Sequence, residues 1–165
     1  MMTEGIGRTM RAVLTAAVLA GGAGAAVARG SLVGNWYVTV EEDRFGDGGT
    51  ALAVTQSRSG DAMFAVRCIR RKWSLALMAG KVNPGEVFLI RMRVDRGDIA
   101  DAAAAAISDA VVQIETDAAT VSKIAGGREL ALRIVDPRGT SRDYVFGLAK
   151  AKAALSRHIK ECTLE

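Results

Sequence analysis

Hydrophobic and polar positions alternate along most of this chain with a period of two, the signature of half-buried β-strands. In residues 32–42, Trp36, Val38 and Val40 share one face, while Tyr37, Thr39 and Glu41 share the other. Residues 50–57 read as a second strand, closed by the turn Arg58-Ser59-Gly60-Asp61. A hairpin follows over 62–80. Phe64, Val66 and Cys68 alternate with Ala65, Arg67 and Ile69; the connection is Arg70-Arg71-Lys72; Trp73, Leu75 and Leu77 then alternate with Ser74, Ala76 and Met78. Beyond the Asn83-Pro84-Gly85 turn, residues 86–95 turn Phe88, Ile90, Met92 and Val94 inward and Val87, Leu89, Arg91 and Arg93 outward. Strands are expected again at 111–116, 129–135 and 142–146. A short helix is expected at 118–125, stopped by Gly126-Gly127, and a tight turn at Asp136-Pro137-Arg138-Gly139.

Two stretches break the strand period. The alanine run 102–106 favours helix by propensity but sits among strands, so both readings stay open. Near the end, Leu148, Ala151, Leu155, Ile159 and Cys162 recur at three- and four-residue steps, one face of a helix. His158 falls at the edge of that stripe and reads as a boundary residue between core and solvent. Short strands separated by turn signals predict a mainly β fold. The expected architecture is a β-sandwich or a partly open antiparallel barrel, with the C-terminal helix packed on the sheet.

The first 28 residues follow another logic. Arg8 and Arg11 precede the apolar run 12–20, and small residues lead to Ala26-Val27-Ala28, an A-x-A cleavage site. That is the layout of a secretory signal. The apolar run is shorter than the ~20 residues of a membrane span. The expectation is a signal peptide at 1–28 and a single β-rich periplasmic domain at 29–165, with no stable membrane anchor after cleavage.

Composition adds little that is specific. The chain has 165 residues, half of them hydrophobic and only 5% aromatic, so the core must be mostly aliphatic. A net charge of +4 and a pI near 9.4 are mildly basic. Most Arg and Lys are scattered along strands rather than gathered in an aromatic-interleaved stripe, which argues against a nucleic-acid partner.

The two cysteines, Cys68 and Cys162, both fall on inward faces. In an oxidising compartment they are expected to form a disulfide. Their separation does not fit a C-x-x-C redox pair.

Little in the chain points to chemistry. His158 is the single histidine, and one histidine does not make a metal site. There is no nucleophile elbow, no P-loop and no dinucleotide fingerprint. No catalytic, metal or cofactor residue is therefore assigned, and a non-enzymatic protein is expected. Acidic residues gather at Glu41-Glu42-Asp43 with Asp47, and at Asp95, Asp98 and Asp101; turn and cap roles account for both sets. A weaker enzymatic reading rests on the second set. The candidate partner-binding patch is basic: Arg67, Arg70, Arg71 and Lys72 at the hairpin, with Trp73 beside them.

The order of features then becomes informative. Gly34-Asn35-Trp36, Val66-Arg67-Cys68, Arg91-Met92-Arg93-Val94-Asp95, the segment 128–134, Phe146-Gly147-Leu148 and Lys160-Glu161-Cys162 follow one another. Together they resemble the VasI family of exported proteins associated with type VI secretion. More loosely, the chain is similar to the invasion-associated locus B proteins of alphaproteobacteria, which commonly carry further cysteines. The resemblance implies a periplasmic β-rich domain with one bridge, at Cys68 and Cys162 here. It supplies no catalytic residue. The expected role is an exported envelope protein that binds an envelope or secretion-system protein; the alternative is a periplasmic inhibitor of a cell-wall-degrading enzyme.

Overall fold

The computed structural model describes residues 30–41 and 49–163. The expected signal peptide at 1–28, and Glu42, Asp43 and Asp47 with most of the turn expected there, lie outside the described residues. Ten strands and two helices are present among the described residues: β1 (Ser31–Val33), β2 (Trp36–Glu41), β3 (Thr50–Gln56), β4 (Met63–Ile69), β5 (Lys72–Met78), β6 (Val87–Val94), β7 (Ala100–Ala106), β8 (Val112–Glu115), α1 (Ala118–Gly126), β9 (Glu129–Val135), β10 (Ser141–Gly147) and α2 (Ala151–Thr163).

All strands pair antiparallel in one continuous sheet of order β1-β2-β3-β4-β5-β8-β7-β6-β9-β10. The sheet curls until β10 meets the far end of β3. There Ser57 bridges Phe146, and the Arg58 N–H donates to the Val145 carbonyl at 2.8 Å. The Asn35 side-chain amide adds bonds to Thr55 Oγ1 (2.9 Å) and to the Gly147 carbonyl (3.0 Å). A single curled sheet corresponds to the partly open barrel rather than to two stacked sheets.

Parity then sorts the side chains, because directly paired residues share a face. The inner face collects Trp36, Phe64, Val66, Leu75, Leu77, Phe88, Ile90, Ile114, Leu130, Leu132, Tyr144 and Phe146, all buried. Val121, Ile124 and Ala125 of α1, and Ala151, Ala154 and Leu155 of α2, complete the core. The alanine run is strand β7. Ladders to β6 and β8 on both sides override helix propensity. On the inner face Ala104 lies between Phe88 and Ile114, and Ala106 beside Val112, so small side chains face large ones and the narrow interior fills.

Four expectations need correction. The stretch 32–42 is not one strand but the β1–β2 hairpin, turned at Gly34-Asn35 with Gly34 at φ 65°. Lys72 is not in the hairpin connection; the turn is Arg70-Arg71 alone, and Lys72 opens β5 opposite Ile69. Leu148 is buried but precedes α2. His158 is not a boundary residue: it is 0% exposed, because it follows Ala154 by four and Leu155 by three and so joins their face.

Gly127 ends α1 where the chain squeezes past β6. A Cβ there would lie 2.3 Å from Val94 Cγ1 and 3.0 Å from Leu148 Cδ1. Gly127→Ala is expected to destabilise the fold by about 1–3 kcal/mol, the usual range for overpacking. Urea unfolding measures this, and an unchanged midpoint would show that Val94 gives way freely.

Candidate functional site

The bridge is present. Cys68 and Cys162 are bonded, with Cα atoms 5.9 Å apart and a sequence separation of 94. Cys68 is buried on the inner face of β4. Helix α2 lies against β2, β3 and β4. Two residues of β3 on that face, Ala51 and Ala53, are fully buried and small, which leaves room for a helix to come close to the sheet. Closing a loop of this length stabilises by ~4–5 kcal/mol in the chain-entropy model. Reduction, or Cys68→Ser with Cys162→Ser, is expected to lower the unfolding free energy by about 4 kcal/mol in a denaturant titration. A loss below about 1 kcal/mol would mean that packing alone holds the helix.

One turn before Cys162, His158 is enclosed without a hydrogen-bond partner for either ring nitrogen. Burial pushes its pKa below the ordinary 6.5, and the nearby Leu52 and Ala154 backbones oppose that only in part. The folded protein therefore holds the neutral ring, while the unfolded chain takes up a proton below about pH 6.5. The His158 contribution is complete above that pH and is lost as pH falls through it toward the lower folded value. Unfolding free energy should drop between about pH 7.5 and pH 5, and His158→Leu should flatten that slope. An identical slope in the variant would assign the effect to other groups.

The basic patch is split by the sheet. Arg67 pairs with Ser74 on the outer face of β4, and its Nη2 donates to Gln113 Oε1 at 3.2 Å. Partial burial lowers the Arg67 pKa from its usual value, yet a guanidinium stays charged at any working pH. Trp73 stands opposite Cys68, so it belongs to the inner face, where it is half-buried against the core. The structure still brings Arg67, Arg70, Lys72 and Trp73 to the border of one depression of about 690 Å³, shared with Gln113 and Glu115. Arg71 stands in the turn outside that border.

The turn itself is unusual. Arg70 has φ 49° and Arg71 has φ 62°. Positive φ at both central residues of a two-residue hairpin is the type I′ pattern, which Asn-Gly satisfies with least strain. Neither arginine meets a carboxylate among the described residues. Elsewhere basic residues do: Arg58, in the turn after β3, with Glu129 (2.7 Å), and on the strands Arg91 with Asp101 (3.2 Å) and Arg133 with Asp143 (2.6 Å).

Two residues of the second acidic set are tied up structurally. The Asp95 carboxylate accepts the N–H groups of Arg128 and Glu129, both at 2.9 Å. Asp101 pairs with Arg91. Of the first set only Glu41, exposed at the end of β2, is described. No group of three metal-ligating side chains occurs among the described residues.

A second concave region was missed in the sequence. It opens at the end of the barrel away from Arg70-Arg71, where the connections 79–86, 107–111 and 136–140 meet. Leu77, Phe88, Val112, Ile134 and Tyr144 form its floor within a volume of about 440 Å³, and Lys81 and Arg142 stand on its rim. The available signal was parity: Arg142 shares the inward parity of Tyr144 and Phe146, and a charge on the core side of a strand end marks a polar opening.

No protein-family model matches the chain, and no curated protein matches its sequence. The fold does have a solved counterpart. The crystal structure of invasion associated protein b from Bartonella henselae matches with a TM-score of 0.56 at 16% identity, over 80% of this chain and 96% of that one. The two share a fold. The looser of the two sequence resemblances thus has structural support, while the VasI resemblance has no counterpart in these comparisons.

Proposed function

We propose that this chain is an exported, non-enzymatic envelope protein that docks an anionic partner surface through the β4–β5 hairpin tip. The observation that carries the reading is the Arg70-Arg71 turn. Two guanidiniums that meet no carboxylate among the described residues occupy positions that favour Asn and Gly, at a cost of roughly 1 kcal/mol or more. A fold indifferent to those side chains has an easy substitution that removes the strain. Lys72 and Arg67 extend the positive surface, and the fixed depression beside them offers Trp73 as an apolar contact. Export rests on the signal-like segment 1–28 and on the Cys68–Cys162 bridge, which persists in an oxidising compartment. The similarity to invasion associated protein b is consistent with a role at the cell envelope, and the partner is expected to be an envelope or secretion-system protein.

The double substitution Arg70→Asn with Arg71→Gly tests the reading because its two effects have opposite signs. Stability should rise by about 1 kcal/mol as turn strain is relieved. Cosedimentation with isolated envelope fractions should fall, and the wild-type binding should weaken steeply with added salt. A more stable variant that binds envelope as well as the wild type would sink the proposal. Loss of both stability and binding would indicate a structural role for the arginines instead.

A further inference from the structure

The outer face of the barrel carries apolar side chains on β6 and β7 that water reaches. Val87 is 58% exposed and Leu89 42%, and Ala103 and Ala105 are exposed as well. Directly paired residues share a face, and the register sets Leu89 beside Ala103 and Val87 beside Ala105. Two long side chains thus form a ridge along β6, and two methyl groups leave a shallow groove along β7. Among the described residues no helix packs over this face. Helix α2 lies against β2, β3, β4 and α1, and the buried side chains of α1 join the interior core.

The next row along the strands is charged. Arg91 stands beside Asp101 and pairs with it at 3.2 Å, with both side chains about half exposed. On the same face Arg133 pairs with Asp143, and at its border Arg58 pairs with Glu129. Arg93 is matched in number by Glu115, so the outward surface of β6–β10 has no net charge. An apolar surface with a balanced charged margin is the composition of a protein contact rather than of a nucleic-acid or anionic-membrane contact.

We infer that the β6–β7 face is the contact between two copies of this chain in an isologous dimer. The self-complementarity follows from the register. A two-fold axis in the plane of contact, parallel to the strands and over the line between β6 and β7, sets each β6 on β7 of the other copy. Leu89 of one copy then lies over Ala103 of the other, and Val87 over Ala105, so each ridge enters a groove. The same rotation brings each Arg91 opposite Asp101 of the other copy, and two exposed ion pairs merge into one alternating cluster of four charges. A second copy therefore matches this surface in shape and in charge. The outer face of a barrel is convex, so the contact is confined to the central strands. The stretch from Val87 to Arg93 runs about 20 Å at ~3.3 Å per residue. Such a contact belongs to the small class, below about 1,200 Å² in total, and the dimer should dissociate at roughly 10–100 μM. This surface is independent of the hairpin tip, since β8 lies between β5 and β7.

Sedimentation equilibrium of the purified, disulfide-bonded protein from about 5 to 500 μM tests the contact, and a reversible monomer–dimer equilibrium is expected. Leu89→Asp puts a charge over the groove and Ala103→Trp fills it. Each should weaken the dimer at least about tenfold while the far-ultraviolet circular dichroism stays unchanged. The charge row gives a test that a purely structural role would not pass. Arg91→Asp alone sets two aspartates against two, and Asp101→Arg alone sets two arginines against two, so each variant should dimerise about fivefold or more weakly than wild type. Mixed together, the two variants should form a heterodimer tighter than either homodimer, because both contacts across the axis are then of opposite charge although the pairs within each chain stay broken. Arg70→Asn with Arg71→Gly should leave the association unchanged. The proposal is overturned if the protein stays monomeric throughout the range, if both Leu89→Asp and Ala103→Trp dimerise like wild type, if the mixed charge variants associate no better than either alone, or if the hairpin-tip variant abolishes the dimer.

Discussion

The contact on which the helical end of the molecule depends is the bond between Cys68 and Cys162. Helix α2 presents a narrow apolar face to the sheet. Three of its buried side chains are alanines or a neutral histidine without hydrogen bonds. Such a surface gives modest burial energy per residue. The disulfide compensates by fixing the last turn to β4, which in turn keeps Ala51, Ala53 and Cys68 covered. Because α2 lies over three adjacent strands, its position also sets the curl of the sheet at β2–β4. The fold is therefore coupled to redox conditions at one point, and the buried His158 couples the same helix to pH.

Strand periodicity made most of the barrel legible. The inward sets of β4, β6 and β9 follow from alternation alone, whereas β3 offers no such contrast, since Leu52 and Val54 on its outer parity are as apolar as Ala51 and Ala53 on the inner. Failures occurred where local rules carry less information than tertiary contact. The alanine run has no polarity contrast to read, and only its neighbours β6 and β8 make it a strand. The Gly34-Asn35 turn hid inside an alternating stretch, because Trp36 to Glu41 alternates whether or not a turn precedes it. His158 was misplaced because a polar residue on a helical stripe is ordinarily at its margin; here the close approach of α2 to small side chains encloses it. Strand order was not available at all, since β5 pairs with β8 and β6 with β9, both remote in sequence.

The candidate site was legible in part for a related reason. Charge and residue type placed the basic hairpin, but parity had to decide which side chains stand together. Arg67 and Trp73 lie on opposite faces and meet only because β8 is short and leaves the β5 border accessible. The barrel mouth escaped notice because its residues come from five strands and three connections. Arg142 alone carried a hint, as a charge on the inward parity of β10.

The two ends of the barrel follow from one topological fact. Both helices are attached to strand ends at the same side, so their apolar faces close that side and leave the other to the connections between strands. Those connections cover the core there as well, since Leu77, Phe88 and Ile134 beneath them are all buried. Polar side chains at that end have to come from strand starts and turns, which is where Arg142 and Lys81 stand. The hairpin tip faces the other constraint. It lies two residues beyond Cys68, where the disulfide ties α2 to β4, and a base anchored in this way is what allows two arginines to be held in a backbone conformation they disfavour.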